Sequence, residues 1–347
     1  MSKYEAEVRQ WAEELLGAPV RLAPLSGGAN NHLFRCRGAE GDLVIKRYRE
    51  QNFGAEVSRR QAEVAFLNHA TSYAPEFVPR LLAVHEHSDM IAMSVVEGDP
   101  YQEGATITES DVQSAIDFYR KLNVDRDAVT RYPFAAREGY RSISDHLRHV
   151  EQRVSALCVG HLPAEIRRSA EVAIDEVRRR FEAARSAILQ AVAAGDVTDE
   201  LPSNQLQLSP GDFGFHNALR VESKLVFIDF EYAGLDDPAK TLADFFLQPK
   251  VPVSYSFFGQ VWTEVAVVMP VKILKARTIV LGHLFSVKWL SIVLAPLDPL
   301  RFDFFAARWG ETAVFSQLSR RLHYVENQDY VPKISDQGLI PPFEFGG

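Results

Sequence analysis

Three oxygen-bearing side chains lie close together in the segment LQLSPGDFGFHNALRVESKLVFIDFEY, residues 206–232. They are Asp212, then Asn217 five residues later, then Asp229 twelve residues after that. An amide oxygen and a carboxylate are hard ligands of the kind that Mg²⁺ prefers, and a second carboxylate can orient a hydroxyl group and accept its proton. The joint spacing therefore indicates a metal–phosphate site for phosphoryl transfer. Taken alone, each acid equally fits a turn cap or a solvated strand end.

A β-hairpin is predicted to position these side chains. Two short apolar runs, residues 217–221 and 225–229, flank a polar turn centred on Ser223. Pairing about that centre places Asn217 directly across from Asp229. Both would then face the loop that carries Asp212.

The first hundred residues contain two features that suit the phosphates of a nucleotide. Gly27-Gly28 precedes a predicted strand and allows close approach of the backbone, although such a pair also makes ordinary turns. Lys46 lies in the apolar run DLVIKRY, where the alternative is an edge-strand lysine with a buried stem. Glu63 lies on an apolar helix face, where a lone charge is costly, so we expect it to pair with Lys46. Glu56 is a competing partner.

Hydrophobic periodicity predicts a small mixed N-terminal part followed by a mostly helical part. Helices are predicted over residues 3–16, 55–70, 109–123, 143–158, 163–194 and 238–247, with further helices between 256 and 323. Strands are predicted over residues 32–37, 42–48, 81–87 and 90–96. The character changes after Glu97-Gly98-Asp99-Pro100, which predicts a boundary near residue 98.

Composition excludes several classes of protein. The 347 residues include 38 Lys plus Arg against 46 Asp plus Glu, a net charge of −8, which argues against a broad surface for nucleic acid or anionic membrane. Cys36 and Cys158 are too few for a disulfide framework or a cysteine-rich metal site. The N-terminus carries acids and no apolar run, unlike a signal peptide. The apolar stretch 278–297 contains His283 and Lys288, which favours a buried helix over a membrane span. We expect a cytoplasmic protein.

Taken together, these motifs resemble the aminoglycoside phosphotransferase and choline kinase-like families of small-molecule kinases. SGGANNHLFRC resembles their nucleotide loop, VIKRY the strand lysine, AEVAFL the partner helix and MSVVEG the hinge. GDFGFHN and FIDFE resemble the catalytic and metal motifs and are the most specific. The resemblance implies an α+β, bilobal, protein-kinase-like fold. In it, a small β-rich N-lobe (1–98) binds nucleotide, and a large, mostly helical C-lobe (99–347) holds the catalytic loop, the metal site and the acceptor-binding helices.

The resemblance also implies ATP and Mg²⁺ as cofactors and gives each motif residue a role. Asp212 is the implied catalytic aspartate, and Asn217 and Asp229 are the implied Mg²⁺ ligands. Lys46, held by Glu63, is implied to contact the α- and β-phosphates. The other implied nucleotide-site residues are Ser26, Gly27, Gly28 and Asn31 of the loop, Met93 at the gatekeeper position, and Ser94 and Val96 of the hinge.

The sequence departs from the family pattern at two places and from protein kinases at a third. Relatives usually carry His two residues before the catalytic aspartate, whereas this chain has Pro210, which can stiffen the backbone instead. A later motif aspartate is replaced by Thr241, with Asp244 as an alternative brace. Glu231 replaces the glycine of protein kinases, and the next predicted helix follows too soon for a long activation segment. The acceptor is therefore expected to be small. His216 is interpreted as loop structure.

The favoured function is ATP- and Mg²⁺-dependent transfer of a phosphoryl group to a hydroxyl of a sugar, amino sugar or amino alcohol. The alternatives are a non-catalytic, pseudokinase-like nucleotide-binding scaffold and, more weakly, a metal-dependent hydrolase in which Lys46 has no role. A cationic acceptor would suit five acids, which equally fit a solvated surface: Asp99, Glu103, Asp236, Asp237 and Asp244. Aromatic residues between 257 and 309 fit a ligand cage or, more simply, a core, and Lys288 with Arg301 would favour an acidic acceptor. The sequence leaves the oligomeric state open.

Overall fold

The described residues form helices and antiparallel strands in two compact units. The computed structural model describes residues 3–25, 31–49, 57–222 and 224–326. The first unit combines Met1–Arg137 with Leu208–Leu235, and the second unit combines Glu138–Gln207 with Asp236–Gly347. The α+β class predicted from the sequence is confirmed.

A five-stranded antiparallel sheet forms the base of the first unit. Its strands are β1 (Arg21–Pro24), β2 (Asn31–Arg37), β3 (Asp42–Tyr48), β4 (Leu81–Val84) and β5 (Met90–Ser94), in the spatial order β1-β2-β3-β5-β4. The helix α1 (Lys3–Leu16) shares a buried apolar cluster with this sheet through Val8, Trp11 and Ile45. The predicted first helix and first hairpin are therefore confirmed.

The helix α2 (Arg59–Tyr73) begins later than its periodicity predicts. Ser58 caps its N-terminus: the Ser58 side chain accepts a hydrogen bond from Gln61 N, and the Gln61 side chain accepts one from Ser58 N. This capping box satisfies two backbone donors at once and so fixes the start of the helix. Glu56, the competing partner for Lys46, lies outside the described residues.

Elements from later parts of the chain also belong to the first unit, and aromatic side chains pack between some of them. These parts are α3 (Glu109–Leu122), α4 (Arg126–Thr130), and a three-stranded sheet of β6 (Asp99–Pro100), β8 (Ala218–Val221) and β9 (Lys224–Phe227). Phe118 of α3 stacks on Phe227 of β9 with ring centroids 4.7 Å apart, and Phe66 of α2 stacks on Phe230 at 4.4 Å. Residues on both sides of residue 98 therefore belong to the same compact unit. The division of roles between lobes 1–98 and 99–347 stays a prediction.

The register of the β8–β9 hairpin differs by one residue from the prediction. Val221 pairs with Lys224, so the turn has two residues rather than three, and Ser223 lies outside the described residues. Glu222 has a φ of 54°, in the left-handed region that tight hairpin turns use. As a result, Asn217 lies across from Ile228, whose N donates to Asn217 O at 2.9 Å. The predicted pairing of Asn217 with Asp229 is wrong.

The second unit is mostly helical. Its helices are α5 (Ile143–Ser155), α6 (Ala164–Ala194), α7 (Pro238–Leu247), α8 (Phe258–Val265), α9 (Val271–Val293), α10 (Pro299–Trp309) and α11 (Glu311–Glu326). Two short strands lie where the chain passes between units and pair with each other: β7 (Gln207–Ser209) and β10 (Gly234–Asp236). Gly195 ends α6 with a φ of 75°, as its place after a long helix predicts.

One helix of the described chain is long and apolar enough to cross a membrane. It is the 22-residue stretch Lys272–Val293 of α9, and 67% of its most apolar window is buried in the structure. Arg277 and Lys288 on this helix form buried ion pairs with Asp237 and Asp244. These features are those of a core helix, as the sequence predicts.

Candidate active site

The loop after β7 brings Asp212 and Asn217 together. Asn217 Nδ2 donates to the backbone oxygen of Asp212 at 3.0 Å and lies 3.3 Å from its Oδ2. Gly211 turns the chain into this loop with a φ of 88°, and a Cβ at this position would lie 2.5 Å from the backbone carbonyl of Tyr232. Only glycine tolerates both the conformation and the close approach. The loop therefore brings the side chains of Asp212 and Asn217 together, as predicted.

Asp229 lies just beyond β9 in a backbone conformation that is uncommon for residues other than glycine. Its φ is 67°, in the left-handed region, which non-glycine residues seldom adopt and which clusters at functional sites. Its side chain is 35% exposed, in contrast to the buried groups around it.

Lys46 connects the sheet to Asp229. Its Nζ is 2.6 Å from Glu63 Oε2 and 2.6 Å from Asp229 Oδ1. The predicted Lys46–Glu63 ion pair is present, with side chains that are 3% and 1% exposed. Glu63 also accepts a hydrogen bond from Tyr48 Oη at 2.6 Å and one from Phe230 N at 3.4 Å. Because side chains alternate along a strand, Tyr48 lies on the same face as Lys46. This pattern could have identified Tyr48 as a further partner of Glu63.

Electrostatics keep Lys46 charged in this buried position. Burial by itself lowers the pKa of Lys46, but the carboxylates of Asp229, Glu63 and Glu231 outweigh burial and raise it above the ordinary value for lysine. Burial raises the pKa of Glu63, and the Asp229 carboxylate adds to this effect, while Lys46 opposes it. Three carboxylates therefore surround one lysine.

Glu231 forms a second buried contact that the sequence did not reveal. Asn31 Nδ2 donates to Glu231 Oε2 at 2.5 Å, and Arg59 Nε lies 3.8 Å from Glu231 Oε1. Asn31 and Glu231 are 4% and 2% exposed. The Asn31 side chain, implied to contact nucleotide, thus binds Glu231 in this structure. Their separation of 200 residues leaves no local pattern from which to predict the contact.

The structure describes some of the remaining residues that the resemblance assigns to the nucleotide site. Met93 is buried and pairs with Val44 across β3 and β5, while Ser94 Oγ accepts a hydrogen bond from Arg80 N at 2.9 Å. Val96 follows β5 and is half-buried. Ser26, Gly27 and Gly28 lie outside the described residues.

The donor set of Asn217 and Asp229 fits a magnesium ion. Because Asn217 Nδ2 donates to Asp212, the amide oxygen is the atom of this side chain that can bind a cation. Asp229 adds a partly exposed carboxylate. Mg²⁺ uses one or two carboxylates and keeps other positions for water and phosphate. Among the described residues, no group of three or more His, Cys, Asp or Glu side chains could hold a metal ion.

Three of the acids considered for a cationic acceptor are buried in ion pairs of the second unit. They are Asp236, Asp237 and Asp244, which are 1%, 0% and 3% exposed. Lys240 Nζ lies 2.7 Å from Asp236 and 3.0 Å from Asp244, and Lys288 Nζ lies 2.7 Å from Asp244. Burial raises the pKa of Asp236 to about 6. These residues do not form an acidic acceptor cleft, and the Asp244 carboxylate is occupied by lysines within its own unit.

Most of the aromatic residues considered for a ligand cage belong to the core. Trp262, Phe285, Trp289 and Phe302 are each at most 8% exposed. Trp289 Nε1 donates to Asp244 at 2.8 Å. Trp309, by contrast, is 41% exposed on α10. The simpler interpretation, that these rings stabilise the helical unit, therefore holds for the four buried ones.

A loop with paired Asp and Asn, an aspartate at a strand end and a lysine held by a glutamate together define a phosphotransferase-type site. The chain belongs to the phosphotransferase enzyme family, whose pattern matches residues 21–254, more than half of the sequence. The resemblance stated from the motifs is thereby confirmed. No curated protein matches the sequence closely enough to count as a relative.

Solved structures show the same fold at low sequence identity. A choline/ethanolamine kinase family protein from Mesorhizobium loti is 18% identical, with 93% of this chain and 99% of that chain covered and a TM-score of 0.53. A spectinomycin phosphotransferase, solved with ADP and spectinomycin, is 10% identical, with 94% and 98% covered and a TM-score of 0.61. At these identities the likeness establishes the kinase-like α+β fold.

Proposed function

We propose that this protein transfers the γ-phosphoryl group of ATP to a hydroxyl of a small metabolite, with Mg²⁺ as cofactor. The observation that carries the proposal is the position of Lys46, whose Nζ lies 2.6 Å from both Glu63 and Asp229. A buried lysine held in this way next to a candidate metal ligand suits the phosphates of a nucleotide. The spectinomycin phosphotransferase solved with ADP and spectinomycin, whose fold this chain shares, supports the proposal.

Each residue of the site has a role in this reaction. Asp212 orients the acceptor hydroxyl and accepts its proton as the oxygen attacks the γ-phosphorus. The new P–O bond forms while the bond from the γ-phosphorus to the bridging oxygen breaks, and ADP leaves. Asn217 and Asp229 would hold Mg²⁺, which when bound neutralises charge on the phosphate oxygens. Lys46 stabilises the α- and β-phosphates.

The acceptor class within this proposal is a sugar, amino sugar or amino alcohol. The helix α7 begins at Pro238, nine residues after Asp229, which leaves no long segment for binding a peptide. The cytoplasm, where ATP is available, is the proposed location.

An ATP-consumption screen against sugars, aminoglycosides and amino alcohols tests the proposal. With an active acceptor, Asp212→Asn should lower kcat by about 10²–10⁴-fold while MgATP binding, measured by calorimetry, stays close to that of wild type. Lys46→Ala should lose MgATP affinity, whereas Lys121→Ala, which changes a lysine that is 40% exposed, should not.

Two outcomes would contradict the proposal. MgATP binding without transfer to any acceptor would favour the non-catalytic scaffold. Full turnover by Asp212→Asn would remove the role given to this aspartate. Asp175→Asn, at a side chain that is 80% exposed on α6, controls for the loss of an acid elsewhere.

A further inference from the structure

His216 lies in the same loop as Asp212, with its imidazole against the Asp212 carboxylate. Nε2 of His216 is 3.1 Å from Asp212 Oδ2, and the histidine side chain is 13% exposed. The other ring nitrogen, Nδ1, is buried and has no hydrogen-bond partner among the residues that the structure describes. A ring that donates from Nε2 to the carboxylate and carries no proton on Nδ1 avoids a buried, unpaired N–H. The structure therefore favours one tautomer of His216.

Neighbouring residues of the loop contribute differently to holding this carboxylate. Asn217 Nδ2 lies farther from Oδ2, at 3.3 Å, and also donates to the backbone oxygen of Asp212. Pro210, two residues before Asp212, has neither a polar side chain nor a backbone N–H. His216 is anchored independently, because Phe215 and Asn217 on either side form a short 3-10 turn with it. A nearly buried ring on an ordered turn is a rigid donor.

We propose that His216 is a positioning residue that holds the Asp212 carboxylate through Nε2 and fixes its orientation toward the acceptor hydroxyl. The kinetic consequence rests on the proposed function, whereas the contact itself does not. Small errors in the placement of a catalytic group lower the reaction rate strongly, because the reactive geometry is then populated less often. Loss of the contact should therefore lower kcat and leave nucleotide binding almost unchanged.

The contact is tested without turnover by nitrogen NMR of the full-length protein labelled on its histidine rings. The His216 signals are identified by their loss in His216→Gln. In the wild type, Nε2 should carry a proton. In Asp212→Ala, the nitrogen shifts of His216 should move, because the acceptor is gone. An unprotonated Nε2 in the wild type, or unchanged shifts in Asp212→Ala, would overturn the proposal.

The positioning role is tested by comparing His216→Leu with His216→Gln. Leucine removes the donor, so kcat should fall by about 10- to 100-fold, with the KM for MgATP within about threefold of wild type. The glutamine amide can donate from nearly the place of Nε2, so His216→Gln should recover most of the activity. His87→Leu, at a side chain that is 81% exposed, should behave as wild type. Equal kcat in His216→Leu and wild type, or equal losses in both His216 variants, would refute positioning.

These results separate the two proposals. If no acceptor is phosphorylated by the wild type, the proposed function fails, and the NMR result alone decides whether His216 holds Asp212. Urea unfolding of both His216 variants shows whether a rate loss reflects misfolding, since leucine and glutamine should then lower the midpoint together.

Discussion

Replacing Arg277 with methionine is expected to destabilise the second unit strongly. Arg277 and Asp237 are both 0% exposed. Nε and Nη2 of the arginine donate to Asp237 Oδ2 at 3.0 and 2.5 Å. Nη1 donates to the backbone oxygens of Thr198 and Asp199 at 2.8 and 3.2 Å. Methionine fills much of the space but removes every donor, so the Asp237 carboxylate loses its guanidinium partner.

The size of the effect follows from which contacts are buried. Removing one partner of a buried ion pair costs about 3–5 kcal/mol, because the other charge is left without compensation. Thr198 is exposed and Asp199 is half-buried, so water can replace the donor at their carbonyls, and these contacts add little. Arg277→Lys keeps the charge but loses the planar fork, and should cost about 1.5–3 kcal/mol.

Urea unfolding followed by tryptophan fluorescence measures these differences, provided that the slope m is the same in each variant. Arg179→Met is the matched control. Arg179 also donates through Nε and Nη2 to one carboxylate, Glu176, at 2.8 and 2.7 Å, but its side chain is 68% exposed. An exposed pair of this kind contributes far less than a buried one, because water and salt screen its charges. If Arg277→Met and Arg179→Met lost equal stability, the argument from burial would be refuted.

Three further predictions concern other parts of the structure. Gly211→Ala should cost about 1–3 kcal/mol and lower turnover, because its Cβ would lie 2.5 Å from the carbonyl of Tyr232, whereas Gly104→Ala, with a φ of 72° and open space, should cost less in the same unfolding assay. Burial raises the pKa of Asp236 from 3.8 to about 6, so its folded carboxyl keeps a proton that the unfolded chain has lost, and stability should fall as pH rises from about 4 to 6. Asp236→Asn should remove this pH dependence of the free energy of unfolding, which corresponds to at most one proton. An unchanged pH dependence in this variant would contradict the raised pKa of Asp236. Chelating divalent metal should lower the affinity for ATP by about tenfold or more in calorimetry, and equal affinities with and without metal would argue against the metal site.

Contacts that a local pattern demands could be predicted from the sequence. An acid on the apolar face of a helix requires a cation, and Glu63 finds Lys46, as expected. The spacing of Asp212 and Asn217 predicts that their side chains converge, and a side-chain hydrogen bond joins them. For Glu63, the free energy of burying a charge leaves few arrangements, so residue type and position on the helix are sufficient.

Contacts that depend on distant parts of the chain could not be predicted. The hairpin register depended on whether Glu222 adopts a left-handed conformation, which a glutamate seldom does and which its residue type does not signal. Asp244 finds Lys288 44 residues later, on a helix whose pattern is apolar. Charges inside an apolar helix indicate that partners exist, but tertiary packing alone decides which acid each cation meets.

The charges around Lys46 connect the fold to the proposed chemistry. Lys46 and Arg59 face the carboxylates of Glu63, Asp229 and Glu231, so this part of the first unit holds more acids than bases. Since the raised pKa of Lys46 keeps it charged, phosphate oxygens that bind it must compete with Asp229 for the same ammonium group. A nucleotide that arrived without a cation would leave Asp229 facing the phosphates with no compensating charge. Under the proposed function, Lys46 would bind the phosphates in place of Asp229, and the Asp229 carboxylate would then be available to hold Mg²⁺.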